Sequence, residues 1–494
     1  MRILYLSKGY VGEGDSLYRL HRLPELLLRK PGGVIAGVNL FPILAQLVPQ
    51  MRGDSGWSAT LRLQKKRKID TERVGGIIYF THLTYRYPKV STHVRGAIKR
   101  YRPGSIKWIV LNLELFAEVD EHETREAANS LLQLATARGV SPRTSPAAYG
   151  GAMLRSSVYW GRDRRPAPRF ISEAARTRLP GNYYALREGY QIRSIPRAYY
   201  LDQRSSHHSI AGSIALPSPM HLRARGLFRG VEAGRTSPWA RDIGLLHGHT
   251  GLLIAVIECD LIPRSQLHLY PAWARQRGRR VVWIWTPELR LLDRRIRLMY
   301  VSAALTSPIP DPVLTEYAQW SLAQLRKGYH PIVKPTLLAG YGLLAVRSGI
   351  DIERYSITGQ RRSERATVSQ LPLVGPCYRT EVKNDRTPTV QNVVARGVLE
   401  AETRTRSIEY ARELESQGIP VSQIYADGLI AVTDSMPFLR EGWRMAGELT
   451  NVRSPSGNSI VADEFVRLPG IPNGRRTARI ERLKSEPDYA DKTV

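Results

Sequence analysis

The sequence predicts an α+β protein built from roughly two to four structural units. Three observations point that way. The chain has 494 residues and 42% hydrophobic content, enough for a large core and too apolar for a disordered protein. Strand-like apolar runs are mixed with a few patterned helices, without the regular βαβ alternation of a parallel sheet. No internal repeat is visible.

The elements follow in order. Residues 1–175 mix strand-like runs such as KWIVLNLELF (107–116) with a helix expected over TREAANSLLQLATARG (124–139), which Arg138 and Gly139 stop. The Arg- and Pro-rich stretch GRDRRPAPR (161–169) reads as a boundary. Residues 180–305 are strand-rich, with PRAYYLD, GLLIAVIECD and RRVVWIWT broken by Gly, Pro and Arg. Residues 313–349 are expected to be helical. VLEAETRTRSIEYARELESQ (398–417) is a strongly patterned helix, ended by Gly418 and Pro420. The apolar run QIYADGLIAV (423–432) follows. The charged stretch RRTARIERLKSEPDYADKTV (475–494) is expected to form a peripheral helix and a loose tail.

Charge narrows the partners. Lys+Arg is 73 against 44 Asp+Glu, a net +29 with a pI near 10.3. Such an excess favours polyanions, nucleic acid first. It is spread along the whole chain, not gathered in one amphipathic helix or tail, which disfavours a membrane surface. The two cysteines, Cys259 and Cys377, exclude a disulfide scaffold and a Cys-based zinc site. MRILYLSKGY is too short an apolar start for a signal peptide, and GLLIAVIECDLI (251–262) is too short and too acidic to span a bilayer. A soluble, cytoplasmic protein with no membrane partner is expected.

Three places carry candidate chemistry. Asp427 interrupts an apolar run, where a lone carboxylate is costly unless it is paired, neutralised or metal-bound. Asp-Gly at 427–428 is equally a hairpin-turn signal. Asp202 ends the run AYYLD and precedes QRSSHH; alone, such an acid is more often a turn or cap residue. In KPTLLAGYGLLA (334–345), Lys334 and Tyr341 are seven apart, so on a helix they share a face with Gly340 and Gly342 beside the ring. That stripe suits a nucleotide, or simply a helix packed closely through its glycines. Together, two acids on separate strands and a Lys/Tyr helix meet the needs of two-metal phosphoryl transfer, in which carboxylates hold two Mg²⁺ ions about 3.5–4 Å apart. A lysine then neutralises the triphosphate. Arg326 and Lys327 stand about two turns before Lys334 and could reach the same phosphates, although a solvated face is the commoner fate. His207, His208, His247 and His249 do not complete a zinc ligand set.

At these residues the chain resembles the protein-primed branch of family B DNA polymerases. DQRSSHH, with Asp202 and Ser205, is similar to motif A, Asp-x-x-Ser-Leu-Tyr-Pro. KPTLLAGYG, with Lys334, Tyr341 and Gly342, is similar to motif B, Lys-x-x-x-Asn-Ser-x-Tyr-Gly. YADGLIAV resembles a condensed motif C, Tyr-x-Asp-Thr-Asp-Ser. YYALREGY, with Tyr184, Arg187 and Gly189, resembles the Tyr-x-Gly-Gly segment. The motifs run in family order over roughly residues 180–470. Departures are Ala339 in motif B, His207 where the family has the tyrosine that screens the sugar, and one Asp in motif C. In one register Asp427 is the second metal acid and Tyr425 replaces the first. In the other, Leu429 replaces the catalytic acid and the enzyme is dead.

The resemblance implies a right-hand polymerase of palm, fingers and small thumb behind an N-terminal exonuclease-like α/β domain. Its segments are 1–175 exonuclease-like, 176–310 palm with motif A, 311–350 fingers, 351–465 palm with motif C, and 466–494 reduced thumb. The exonuclease is expected to be inactive, because the nearest match to its Asp-x-Glu is Asn112 and Glu114 in LNLEL. Implied metal ligands are Asp202, Asp427 and the Leu201 backbone carbonyl, holding two Mg²⁺ ions, with Mn²⁺ as substitute. Implied nucleotide contacts are Lys334, Tyr341, Gly342, Ser205 and His207. Tyr184, Arg187, Gly189 and Arg467 are implied DNA contacts. The expected partners of a monomer are template and primer DNA, dNTPs and a terminal protein. Two rivals stay open: a decayed polymerase relative that only binds DNA, and a primase-like enzyme tolerant of ribonucleotides.

Overall fold

The structure, a computed structural model, describes residues 2–7, 9–28, 32–38, 40, 57–64, 76–82, 105–117, 119–143, 145–157, 167–179, 184–186, 195–226, 248–328, 330–345, 352–356, 367–371, 375–382, 391–425, 427–452 and 466–467. The chain forms two compact units. The first is Met1–Ser156 with Gln324–Pro388, and the second is Ser157–Ala323 with Thr389–Val494.

The first unit is organised on a ten-stranded sheet. Its middle holds three parallel strands, β1 (Arg2–Ser7), β2 (Gly32–Gly37) and β3 (Ser105–Asn112), paired Leu4 to Ile35 and Ile35 to Val110. These runs are apolar and bury Leu4, Leu6, Val34, Ile35, Val110 and Leu111, as expected of strands covered on their faces. Helix Thr124–Ala137 lies on β1 and β2 through Ala127, Ala128 and Leu131. It stops as the sequence predicts, at Arg138, with Gly139 at φ +64°. Antiparallel strands extend both sides of the trio. Among them are Ile352–Ser356, Thr367–Leu371 and Gly375–Val382, which join through the pairing of Arg354 with Arg62. The segment 351–465 therefore divides between the two units, because its first strands complete a sheet begun by the N-terminal residues.

The helical block expected over 313–349 is two helices, Pro312–Leu325 and Val333–Gly342, parted by a turn with Gly328 at φ +72°. In the first unit, Val333–Gly342 lies against Pro146–Arg155, which Ser145 caps by accepting from Ala148 N–H at 3.3 Å. A Cβ at Gly150 would sit 2.5 Å from the Gly340 nitrogen and 2.6 Å from the Thr336 carbonyl oxygen. The two helix backbones touch at these glycines.

The second unit has a four-stranded antiparallel sheet and a six-stranded sheet. The long apolar run forms the strand Thr250–Cys259 of the former, paired with Gly278–Trp285 and Ile296–Ser307. The six-stranded sheet comprises β4 (Tyr184–Leu186), β5 (Ile195–Gln203), β6 (Val421–Tyr425), β7 (Gly428–Val432), β8 (Trp443–Val452) and β9 (Val466–Arg467). Their order is β9-β8-β5-β7-β6-β4. Helix Val393–Ser416 packs on both sheets through Ile408, Tyr410, Ala411 and Leu414, which share one core with Leu253, Tyr199, Leu201 and Leu429.

That helix is buried along most of its length. Asn392 caps it by accepting from Ala395 N–H at 3.1 Å, and Gly418 at φ +78° ends it. Its buried acid Glu402 accepts from Arg290 at 2.7 and 3.0 Å and from Arg406 at 2.7 Å. Burial pushes the Glu402 carboxyl up, but hydrogen bonds and charge from Arg290 and Arg406 overcome it and hold it below the usual carboxylate range. Glu288, also buried, is paired with Arg404.

Candidate active site

Strand alternation builds the site. Along β5, Tyr199 and Leu201 point into the core, so Tyr200 and Asp202 share the other face. The next core-side residue is polar: Gln203 is buried and donates through Nε2 to the Thr403 carbonyl and to Ser407 Oγ, both at 2.9 Å. This side-chain clamp ties the end of β5 to the long helix.

Asp202 lies in a three-strand row. Gly428 of β7 is opposite it on one side and Arg444 of β8 on the other. Arg444 donates to a single oxygen, Oδ2, through Nε at 3.2 Å and Nη2 at 2.8 Å. The Asp202 side chain is 2% exposed and that of Arg444 37%. Neither Arg444 nor Tyr200 was marked by a sequence motif; their positions become visible only once β8 and β7 flank β5.

Asp427 closes the β6–β7 hairpin. Tyr425 pairs with Gly428, so Asp427 lies in the connection and Gly428 already belongs to the strand, one residue off the Asp-Gly signal. The reason is visible at Gly428: a Cβ there would meet the Tyr200 ring at 2.8 Å and the Leu201 carbonyl oxygen at 2.9 Å. The glycine is needed for close approach within the sheet and not for the turn itself. The Asp427 carbonyl accepts from Gln203 N–H at 2.8 Å, and Arg204 N–H donates to the Gly442 carbonyl at 2.8 Å. The segment after Asp202 is thus fastened on both sides.

Ser205 then takes φ 47°, ψ 42°, a left-handed conformation rare outside glycine, before helix Ser206–Ser213. In that helix His207 Nδ1 is 3.3 Å from Ser206 Oγ, and His208 is buried. Leu429, the alternative motif C position, is buried in the core.

The other sequence-selected residues divide. Lys334, Tyr341 and Gly342 lie on one helix of the first unit, whereas Asp202 and Asp427 belong to the second. Tyr341 is fully buried, so its ring faces protein, while Lys334 is half-buried and Gly342 exposed. Arg326 and Lys327 are exposed in the turn between the helices. Tyr184 pairs with Tyr425, and Arg467 with Gly447. Arg187, Gly189 and His247 lie outside the described residues. Asn112 ends β3 and is buried; its Oδ1 accepts from Glu114 N–H at 3.2 Å.

No protein-family model and no curated protein sequence matches the chain. Solved structures do. The ternary complex "Phi29 DNA polymerase complexed with primer-template DNA and incoming nucleotide substrates" superposes with a TM-score of 0.54 at 10% identity, covering 98% of this chain and 93% of that one. The binary complex of Phi29 DNA polymerase with primer-template DNA gives 0.52 at 10% identity, covering 100% and 95%. The chain has a Phi29 DNA polymerase-like fold. The likeness to this polymerase fold covers residues of both units, well beyond the region carrying the motifs.

The donor set of the Phi29-like chain suits a hard divalent ion in part. Mg²⁺ keeps waters and substrate oxygens and needs only one or two protein carboxylates; Asp202 and Asp427 are two carboxylates carried at this end of the sheet. Among the described residues, the clustered set of three metal-type ligands is Asp120, His122 and Glu123, outside this site. Among the described residues no helix is long and apolar enough to cross a membrane.

Proposed function

We propose that this chain is a DNA-directed DNA polymerase that adds dNTPs to a primer by phosphoryl transfer. The observation that carries the reading is the pairing of the Asp202 strand with the Asp427 hairpin. It brings two acids from distant parts of the sequence to one end of one sheet. In the opposite register of motif C, Leu429, a core side chain, stands in the acid's place; the reading adopted is the register in which Asp427 is the metal acid.

The carboxylates of Asp202 and Asp427, with the Leu201 carbonyl, would hold Mg²⁺, which supplies charge neutralisation for an attacking 3′-hydroxyl and a departing pyrophosphate. The protein's own contribution is position. The Gln203 clamp and the two backbone bonds hold the turn, so the acids need little reorganisation when substrate arrives. The resemblance assigns the triphosphate to Lys334, with Arg326 and Lys327 as further cations, and the nascent base pair to Tyr341 and Gly342. Ser205 and His207 face the sugar. Tyr184, Arg187, Gly189 and Arg467 hold template and primer.

In this reading the second unit contains the palm, Val333–Gly342 belongs to the fingers, and the first unit carries an exonuclease-like domain; the small thumb and tail expected over 466–494 lie, beyond 467, outside the described residues. That domain is inactive, because Asn112 cannot replace a metal-binding Asp. Initiation on a terminal protein belongs to the same reading. The test is primer extension on a recessed duplex with Mg²⁺ and dNTPs; an inactive chain supplied with both DNA and protein primers sinks it.

A second reading has its own observation. Motif C carries one acid, and Asp202 is engaged by Arg444. A decayed polymerase that binds DNA without extending it would show both. Binding without extension in Mg²⁺ or Mn²⁺ favours that reading. Competition between dNTP and rNTP tests the sugar selectivity that His207 puts in question.

A further inference from the structure

Arg444 has no place in the motifs, yet it is the direct ionic partner of the acid on which the site depends. We infer that Arg444 is a displaceable counter-cation: it neutralises Asp202 in the metal-free chain and is exchanged for a divalent ion when one binds. The inference rests on the polymerase reading of the site.

The geometry favours exchange over a fixed partnership. A fixed arginine–carboxylate pair gains most from the fork-to-fork arrangement, in which two N–H groups take two oxygens. Here Nε and Nη2 converge on Oδ2 alone. The two partners also differ in freedom. Asp202, 2% exposed, cannot turn to water, and an uncompensated buried carboxylate is strongly unfavourable. Arg444, 37% exposed, can swing its guanidinium out at small cost.

Of the Asp202–Arg444 pair, the arginine is the member that can leave. A divalent ion on the same carboxylate would lie within a few ångströms of the guanidinium charge, where repulsion is large in a poorly hydrated site. The row Gly428–Asp202–Arg444 places the arginine on the β8 side and a residue without a side chain on the hairpin side. Arg444 can move away over β8 without disturbing the Asp427 turn. The exchange sets a threshold: the ion must outcompete a tethered cation, so the chain needs more metal than its carboxylates alone would require.

Mn²⁺ is the probe. In the wild-type chain, an arginine-directed dicarbonyl reagent should modify Arg444 several-fold faster once Mn²⁺ saturates the protein, read by peptide mass spectrometry. Exposed Arg22 should not change. Equal or slower modification of Arg444 overturns the exchange, because a fixed partner stays shielded. In parallel, Mn²⁺ binding followed by electron paramagnetic resonance should tighten roughly tenfold in Arg444→Gln, the scale of one hydrogen bond to a charged group. Unchanged or weaker binding in a folded Arg444→Gln also overturns it. Asp202→Asn is the control for the site. If wild type shows no Asp202-dependent Mn²⁺ binding, the polymerase reading itself fails and takes the exchange with it. If that binding is present and Arg444 stays unmoved, only the exchange fails.

Discussion

The backbone N–H of Gln203 donates to the backbone carbonyl of Asp427 at 2.8 Å, joining two segments more than 200 residues apart in sequence. This bond holds the backbone of the hairpin turn next to the end of β5. On the polymerase reading the two acids serve one reaction, and their loss should be felt in chemistry. Asp202→Asn and Asp427→Asn should each reduce primer extension by more than the roughly 10–100-fold that loss of an outer-shell metal partner costs. The melting temperature of Asp427→Asn should stay near wild type, since that residue lies in a turn. Extension at wild-type rates in either variant contradicts the assignment.

Gly428 should tolerate no side chain. A Cβ would come within 2.8 Å of the Tyr200 ring and 2.9 Å of the Leu201 carbonyl oxygen. The ring can give way; the backbone oxygen cannot without bending β5. Gly428→Ala should cost about 1–3 kcal/mol, the usual range for overpacking, and lower the chemical-denaturation midpoint accordingly. It should also impair extension, because the shift is transmitted to Asp427.

Gly150 is the corresponding position in the first unit. Its Cβ would meet backbone atoms of Gly340 and Thr336 at 2.5 and 2.6 Å. Gly150→Ala should force the two helices apart and raise hydrogen-exchange rates in 146–155 and 333–342. Exchange in the second unit, measured in the same sample, should not change.

Ser205 carries strain that glycine would relieve. At φ 47° a non-glycine residue costs on the order of 1 kcal/mol or more. Ser205→Gly should therefore raise stability slightly or leave it unchanged, and a β-branched Ser205→Val should lower it. Thermal melts of the pair give the comparison. If Ser205→Val is as stable as Ser205→Gly, the left-handed turn is absent in solution.

Glu402 supplies a pH dependence. Its carboxyl is held below the usual range by Arg290 and Arg406, against burial that acts in the other direction. A carboxylate depressed in the folded state adds stability that is fully present above its unfolded pKa, near 4.3. That stability is lost as pH falls through the lower folded value. Urea unfolding between pH 3 and 7 should show this acid-side loss in wild type. Glu402→Gln should be less stable at pH 7 and show a shallower decline below about pH 4.3.

Several elements were legible in the chain as written. The helix at 124–139 and the long helix before Gly418 were marked by pattern and by their stops; the first forms close to its expected bounds, and the second ends where expected but starts at Val393, five residues before the expected 398. The apolar runs at 251–260 and 279–286 are strands because their side chains are needed on a buried face. Local signals worked where the physics is local: a cap, a glycine stop, a run of β-branched residues. They failed by one residue at the hairpin, where Asp-Gly suggested a turn and Gly428 instead answers to Tyr200 on another strand. They failed also over 313–349, where helical propensity runs through a turn that Gly328 breaks.

By itself the sequence nominated candidate residues for the chemistry. Asp202, Asp427 and Lys334 were identifiable as an acid ending a strand, an acid inside an apolar run and a cation opening a helix. The charge of +29 pointed to a polyanion from composition alone. Only the tertiary structure decided what stands beside them. It placed Gly428 and Arg444 on either side of Asp202, sent the strands Ile352–Ser356, Thr367–Leu371 and Gly375–Val382 back to the N-terminal sheet, and put Leu429 in the core. The physical reason is common to all three. Strand partners are chosen by hydrogen bonding and burial across the whole chain, and neither the spacing nor the composition of a segment records which distant segment will lie next to it.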